Sequence, residues 1–293
     1  MLKLPSFAKI NWILRILGKR ADGYHEIATV LQSVSLCDEL TFAVRADKEI
    51  SLSCNDPSIP VGESNLIVKA ARSLSNQQGA DITLLKKIPA KGGLGGGSSN
   101  AAITLVALNH LWRIGLGERD LRRIGSELGA DVPFFVSGGT AVATGIGTEV
   151  EEAGDYPKQD LIIITPNASV PTTTAYAALN APSLTTPDSV SILSSSFTEP
   201  FFGDSSQWPL HNDFEGVIFE KEPEIRRAKM ALLDAGARAA LLAGSGSSVF
   251  GIFSDEAARN QALRNVRCEA GWRVFACHTL SRREYCQAIS TGA

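Results

Sequence analysis

Five of the six residues in the run Gly92-Gly93-Leu94-Gly95-Gly96-Gly97 are glycine, and the run stands between a strand pattern ending at Pro89 and a helix pattern over 101–112. Glycine admits φ > 0 and lets the backbone come close to a ligand, so successive N–H groups can turn inward as an anion nest. The start of the following helix adds unpaired N–H groups and the positive end of its dipole. Ser98 and Ser99 add hydroxyls for phosphate or for a bound Mg²⁺. A polyphosphate needs this arrangement. A plain solvent loop accounts less well for the apolar Leu94 and for so clean a helix pattern directly after it.

Three familiar phosphate loops are excluded by single positions. Gly92 and Gly97 have Walker A spacing, but Ser98 stands where that motif requires lysine. Gly93 and Gly95 begin a dinucleotide fingerprint, but Ser98 again replaces the third glycine. The H-R-D and D-F-G motifs of protein kinases do not occur. What remains is P-x-x-x-G-L-x-x-x-S-S, a different loop.

The rest of the chain frames it. Residues 6–17 read as a strand, Asp22-Gly23 is a turn signal, and an extended pattern returns over 26–36, so a hairpin is expected. Further strands are expected at 39–45, 49–54 and 81–88, with a helix capped by Ser64 and running to about Gln77. The 101–112 pattern predicts an amphipathic helix, a helix at 118–128 stops at Gly129, and 140–152 reads as strands with glycine turns. Residues 153–159 have linker composition. Beyond them strand 160–165, helices 173–179, 213–220 and 223–235, strands 238–243 and 248–253, helix 255–266 and strand 272–279 follow. Their order approaches a split βαβ arrangement with an added helix and an insertion at 182–208. The expectation is an α+β chain of two domains, residues 1–157 and 158–293.

Composition narrows the partners. With 293 residues, 44% hydrophobic and 20% charged, the chain has material for two cores in a globular balance. A net charge of -3 gives no general attraction to nucleic acid or anionic membrane, so positive potential for an anionic substrate must be local. No apolar run approaches the roughly 18–20 residues of a membrane span, and the first strand pattern leaves no room for a targeting segment, so a cytoplasmic setting is expected. Five cysteines without a C-x-x-C pair and four scattered histidines suggest neither a disulfide framework nor a protein-held metal.

Three separated segments resemble the GHMP kinases, the small-molecule kinases named for galactokinase, homoserine, mevalonate and phosphomevalonate kinases. They are Ala8-Lys9-Ile10-Asn11, the loop at 89–100, and Ala243-Gly244-Ser245-Gly246-Ser247-Ser248-Val249-Phe250. The resemblance implies ATP-dependent phosphorylation of a small-molecule alcohol, with Mg²⁺ arriving on ATP. It also implies an N-terminal ribosomal-protein-S5-like domain, a C-terminal ferredoxin-like domain and an active site between them. The segments 5–11, 19–25, 92–102 and 128–134 look like those of family members whose acceptor carries a cytidine diphosphate. Monomer and homodimer both stay open.

By this resemblance Asp131 takes the proton of the attacking hydroxyl, and Lys9 holds that carboxylate and steadies charge. Composition alone would make Lys9 a strand surface charge and Asp131 a turn residue. Asn11, two residues from Lys9, faces the same side of a strand and can orient the hydroxyl or the lysine, or be an edge residue only. Tyr24 and His25 are implied to hold a cytosine, with Tyr176 as stacking partner, since the base has a flat face and a polar edge. Pro89, Lys91, Gly92, Gly93, Leu94, Gly95, Gly96, Gly97, Ser98 and Ser99 would surround the ATP phosphates, although Lys91 can equally point to solvent. Asn65 and Leu66, with Lys86 or Lys87, fall at the family's adenine pocket, against a plain reading as helix cap and exposed lysines. Gly244, Gly246 and Ser247 are implied to lie near the substrate diphosphate. The rivals are a GHMP kinase with another acceptor and a member that binds without catalysis; nucleic-acid binding is disfavoured by the charge.

Overall fold

β1 (Leu2–Lys19) and β2 (His25–Arg45) form one long antiparallel hairpin in the computed structural model, which describes residues 1–179, 181–182 and 210–290. The strands expected at 26–36 and 39–45 are therefore one. β2 is long because it serves two partners in turn: β5 (Thr140–Thr144) along Thr29–Gln32 and β4 (Gly79–Leu85) along Glu39–Arg45. Register shifts at Phe7/Ala8, Asn11/Ile13 and Ile16/Gly18 let so long a ribbon bend.

The first sheet runs β3 (Ile50–Cys54), β4, β2, β1, β8 (His211–Asn212), with β6 (Glu149–Glu152) paired to β5. On it lie α1 (Leu66–Leu74), α2 (Gly96–Leu111), α3 (Glu118–Leu128) and α4 (Phe134–Ser137). Two expectations change here. The cap of α1 is Asn65, whose side chain accepts from Ile67 N, and not Ser64. α2 starts at Gly96, inside the glycine run, and is buried along most of its length between the sheet and the other helices, so it is no amphipathic surface helix.

The second sheet runs β11 (Arg273–His278), β7 (Asp160–Thr165), β10 (Val249–Phe253), β9 (Ala239–Leu242), all antiparallel. In its own sequence order this is 4-1-3-2, the split βαβ arrangement. α5 (Thr172–Ala178), α6 (Phe214–Lys221), α7 (Pro223–Asp234) and α8 (Glu256–Asn265) belong to this half. Most of the insertion expected at 182–208 lies outside the described residues.

Two segments of the second half return to the first. β8 pairs with β1, and α9 (Arg282–Ile289), absent from the sequence expectation, seats Tyr285 in the core with Phe7 and Phe42. Between the sheets, Trp12 and Ile10 pack with Ile163, Leu241 and Phe250. The stretch 153–159, read as linker, contributes Tyr156 to this cluster, with ring centroids 4.9 Å from Trp12. An apolar seam of this kind fixes how the two halves face each other.

Candidate active site

The glycine run performs two tasks at once. Gly95 has φ 70 and ends the loop; from Gly96 onward the chain is α2, and Ser99 N already bonds to Gly95 O at 2.9 Å. The N–H groups of Gly96, Gly97 and Ser98 therefore have no intrahelical partner and stand at the positive end of the helix. Leu94 is buried in the core between the sheets and anchors the loop by its side chain, while its carbonyl accepts from Lys9 N at 3.0 Å. The other end is fixed by Asp38, a fully buried carboxylate of β2. It accepts from Lys87 N, Ile88 N and the Lys86 ammonium at 2.7, 2.8 and 2.6 Å. No sequence signal marked Asp38, because only pairing of β2 with β4 brings it beneath the loop.

The second glycine-rich turn, 243–248, lies directly against the first. Ser248 N donates to Gly92 O at 3.1 Å, and a Cβ placed on Gly93 would meet Ala243 O at 2.0 Å. Asn212 donates from its amide to Leu242 O and Gly244 O, both at 2.8 Å, so β8 exists to hold this turn.

Two cavities meet over the loops. One, of about 370 Å³, is lined by Asn65, Leu66, Lys86, Pro89, Lys91 and the glycine run. The other, of about 980 Å³, is lined by Lys9, Asn11, Tyr24, His25, Asp131, Tyr176, Gly244 and Ser245, among others. Gly93, Gly95 and Ser98 line both. At this junction Lys9, buried on β1, donates from Nζ to Asn11 Oδ1 at 2.9 Å and stands 3.7 Å from Asp131 Oδ2. Asp131 occupies the turn after α3 with about a third of its side chain open to the cleft. Asn11 is tied down on every side: it accepts from Gly244 N at 3.1 Å and donates to Thr29 Oγ1 at 2.8 Å, and Thr29 donates on to Ile13 O. A carboxylate facing a cleft, backed by a buried cation with fixed orientation, can accept a proton from an alcohol and stay charge-balanced.

In the wall of the larger cavity His25 lies against Tyr176, centroids 4.8 Å apart and planes 31° from parallel. Phe214 meets Tyr176 edge-on at 4.9 Å. Burial, with the Asp131 carboxylate second, pushes the Tyr176 phenol up to about 12, so it stays neutral. Partial burial, then the charge of Lys19, lowers the His25 imidazole below its ordinary value. Tyr24 is largely exposed at the cleft rim.

Not every expected residue faces a cavity. Ser99 is buried, with Ser6 Oγ donating to its hydroxyl at 2.8 Å, and serves the packing of β1 on α2. Ser247 is buried as well, and in the second turn Gly244 and Ser245 line the cleft in place of Gly246 and Ser247. Asn65 both caps α1 and lines the smaller cavity. Thr29, Thr148, Phe214 and Ser245 join the larger cavity without having been singled out by sequence. Thr29 reaches it through strand register alone, Thr148 and Phe214 through a turn and a helix start that carry no motif, and Ser245 from within the second glycine-rich turn, where only its neighbours were singled out.

Comparison with known proteins agrees with this geometry. The models of the GHMP kinases N terminal domain and of the GHMP kinases C terminal match residues 65–139 and 202–271. The 4-diphosphocytidyl-2-C-methyl-D-erythritol kinase of Citrifermentans bemidjiense is 39% identical over 95% of this chain and 99% of its own. That of Syntrophus aciditrophicus is 40% identical over 96% of this chain and 100% of its own. A crystal structure of 4-(cytidine 5'-diphospho)-2C-methyl-D-erythritol kinase superposes with a TM-score of 0.75 at 30% identity, covering 94% of this chain and 98% of that one. A mevalonate kinase from L. major shares the fold at 13% identity and a TM-score of 0.67, over 95% of this chain and 96% of its own. With near-complete coverage on both sides and identity this high, the chain belongs to the GHMP kinase family, among its 4-diphosphocytidyl-2-C-methyl-D-erythritol kinases.

Proposed function

We propose that this ATP-dependent kinase transfers the γ-phosphoryl group to the 2-hydroxyl of 4-diphosphocytidyl-2-C-methyl-D-erythritol, a step of non-mevalonate isoprenoid precursor biosynthesis. The observation that carries the reading is the Lys9–Asp131 pair where a smaller loop-lined cavity adjoins a larger one that the His25–Tyr176 stack also lines. ATP enters the smaller cavity with its adenine by Asn65 and Leu66 and its phosphates on the N–H groups of 93–98. The cytosine goes between Tyr24, His25 and Tyr176, which leaves the polyol beside Asn11 and Asp131. In the transfer, the acceptor oxygen forms a bond to the γ-phosphorus, the bond to the β,γ-bridging oxygen breaks, and the hydroxyl proton passes to Asp131. Lys9 offsets the charge gathered between carboxylate and phosphoryl oxygens, while the loop N–H groups hold the leaving ADP oxygens. Most of the rate arises from this positioning and charge neutralisation.

Ser98 lines both cavities and Glu127 lines the larger one, so these two could hold a Mg²⁺ that arrives on ATP. Among the described residues no group of three or more metal-ligating side chains occurs, which suits an ion held mainly by phosphates and water. Bound there, Mg²⁺ would neutralise β- and γ-phosphate charge. We also divide the chain at residues 157 and 158 into an ATP-binding and a substrate-binding part, with the acceptor cavity walled by both.

The test is ADP release from Mg-ATP with the cytidylated methylerythritol beside homoserine, mevalonate and galactose. ADP formed with the cytidylated acceptor alone is expected. Turnover of another alcohol instead would remove the cytosine assignment of His25 and Tyr176 and keep the kinase.

A further inference from the structure

The base-recognition tip of the β1–β2 hairpin is a five-residue turn with little packing of its own: Tyr24 is 62% exposed, and a Cβ on Gly23 would meet nothing within 4 Å. A turn so open would be mobile unless polar contacts held it. We infer that Arg20 is the positioning residue of that tip, setting Tyr24 and His25 for the base of the acceptor; the inference rests on the reaction proposed above. The contacts form a chain. Glu26 is buried with 2% of its side chain exposed, and one of its oxygens accepts from Gly145 N at 3.1 Å, which ties it to the end of β5. Its other oxygen accepts from Arg20 Nη1 at 2.8 Å, and Arg20 Nε donates to Asp22 Oδ2 at 3.1 Å. Asp22 Oδ1 then accepts from Tyr24 N at 3.1 Å, and Tyr24 O accepts from Arg20 N at 2.8 Å.

The guanidinium thus bridges two carboxylates on either side of Tyr24 and His25, one of them anchored in the core. Its planar fork suits this double contact, and a lysine ammonium, a point charge, would keep one partner at a time. Arg20 does not line the acceptor cavity, so its effect runs through the tip and not through contact with substrate. None of these contacts reaches Lys9, Asp131 or the phosphate loop, so kcat and ATP binding should not sense the loss of Arg20.

The experiment is steady-state ADP release by the wild type and by Arg20→Ala, Arg20→Lys and Asp22→Ala, with ATP and cytidylated acceptor varied separately and the melting temperature recorded. Arg20→Ala is expected to raise KM for the acceptor roughly tenfold, equivalent to ~1.4 kcal/mol, with kcat and KM for ATP changed less than about threefold. Asp22→Ala, which cuts the last link, should give the same split, and Arg20→Lys should fall between wild type and alanine. An unchanged acceptor KM in Arg20→Ala overturns the role of Arg20. So does a joint rise of both KM values with a lowered melting temperature, which would mark a structural residue only. Wild type inert toward the cytidylated acceptor would instead remove the reaction on which the inference rests, and the inference with it.

Discussion

At the residue scale, what distinguishes this site is how few of its charges are free to move. Lys9 is buried and held by Asn11, which is held by Gly244 and Thr29, so the ammonium facing Asp131 has one position. Asp131→Asn keeps the shape and removes the carboxylate proposed above as proton acceptor. It should lower kcat by about 10²–10⁴, with ATP binding, followed by nucleotide titration, changed little. His25 supplies a pH dependence. Its pKa is lowered, first by burial and then by Lys19, so the imidazole is neutral at pH 7. As pH falls through that lowered value the ring becomes charged against Tyr176, and KM for the acceptor should rise, with kcat at saturation affected less. Lys19→Ala removes the second cause, so the rise should begin at a higher pH, nearer the ordinary histidine value of about 6.5. Acceptor KM measured across the acid range in both proteins checks this.

At the scale of elements, the two glycine-rich turns act as one unit. Gly93 has φ 74, and a methyl group there would press on the backbone oxygen of Ala243 at 2.0 Å, which cannot turn aside as a flexible side chain could. Gly93→Ala should therefore destabilise the protein by more than ~1 kcal/mol and raise KM for ATP. Gly62→Ala is the control: no atom lies within 4 Å of its Cβ, φ is not positive, and stability should stay within about 0.5 kcal/mol of wild type. Equal effects in denaturant unfolding of the two variants would contradict this coupling of the turns. The same logic explains β8, a two-residue strand whose Asn212 spends both amide protons on carbonyls of the second turn.

At the scale of the whole molecule, the chain closes on itself. α9 comes after the last strand of the second sheet, yet Tyr285 is fully buried in the first core and donates to Phe135 O at 2.7 Å. α4, which carries Phe135, follows the Asp131 turn directly, so α9 supports the Asp131 turn from behind. Tyr285→Ala should cost about 3–5 kcal/mol by denaturant unfolding and should weaken the first half, although the residue belongs to the last element of the chain. Unfolding that left the first half unaffected would refute this.

Much of this could be read from the sequence. Gly92–Gly97 is legible as a phosphate loop because its chemistry depends on a short-range pattern, free N–H groups at a helix start, whereas Lys9, Asp131 and the Tyr24-His25 pair stand out only through the family resemblance of the segments that carry them. The order of the longer elements from residue 160 to 279 likewise follows from local periodicity, whereas β8 and α9 are not read from it. What tertiary structure decided is which side chains on those segments face a ligand. Ser99 and Ser247 belong to recognisable motifs yet point into packing, because one residue along a helix or tight turn rotates the side chain away from the cleft. Thr29, Asp38, Glu26 and Tyr285 carry no local signal at all. Partners of theirs lie 18, 50, 119 and 150 residues away, and only register between strands and the return of α9 bring them together. The sequence by itself determined the kind of phosphate loop and the family; folding determined the geometry that holds Lys9 against Asp131, since a buried charge is fixed by all its neighbours together and not by those adjacent in the chain.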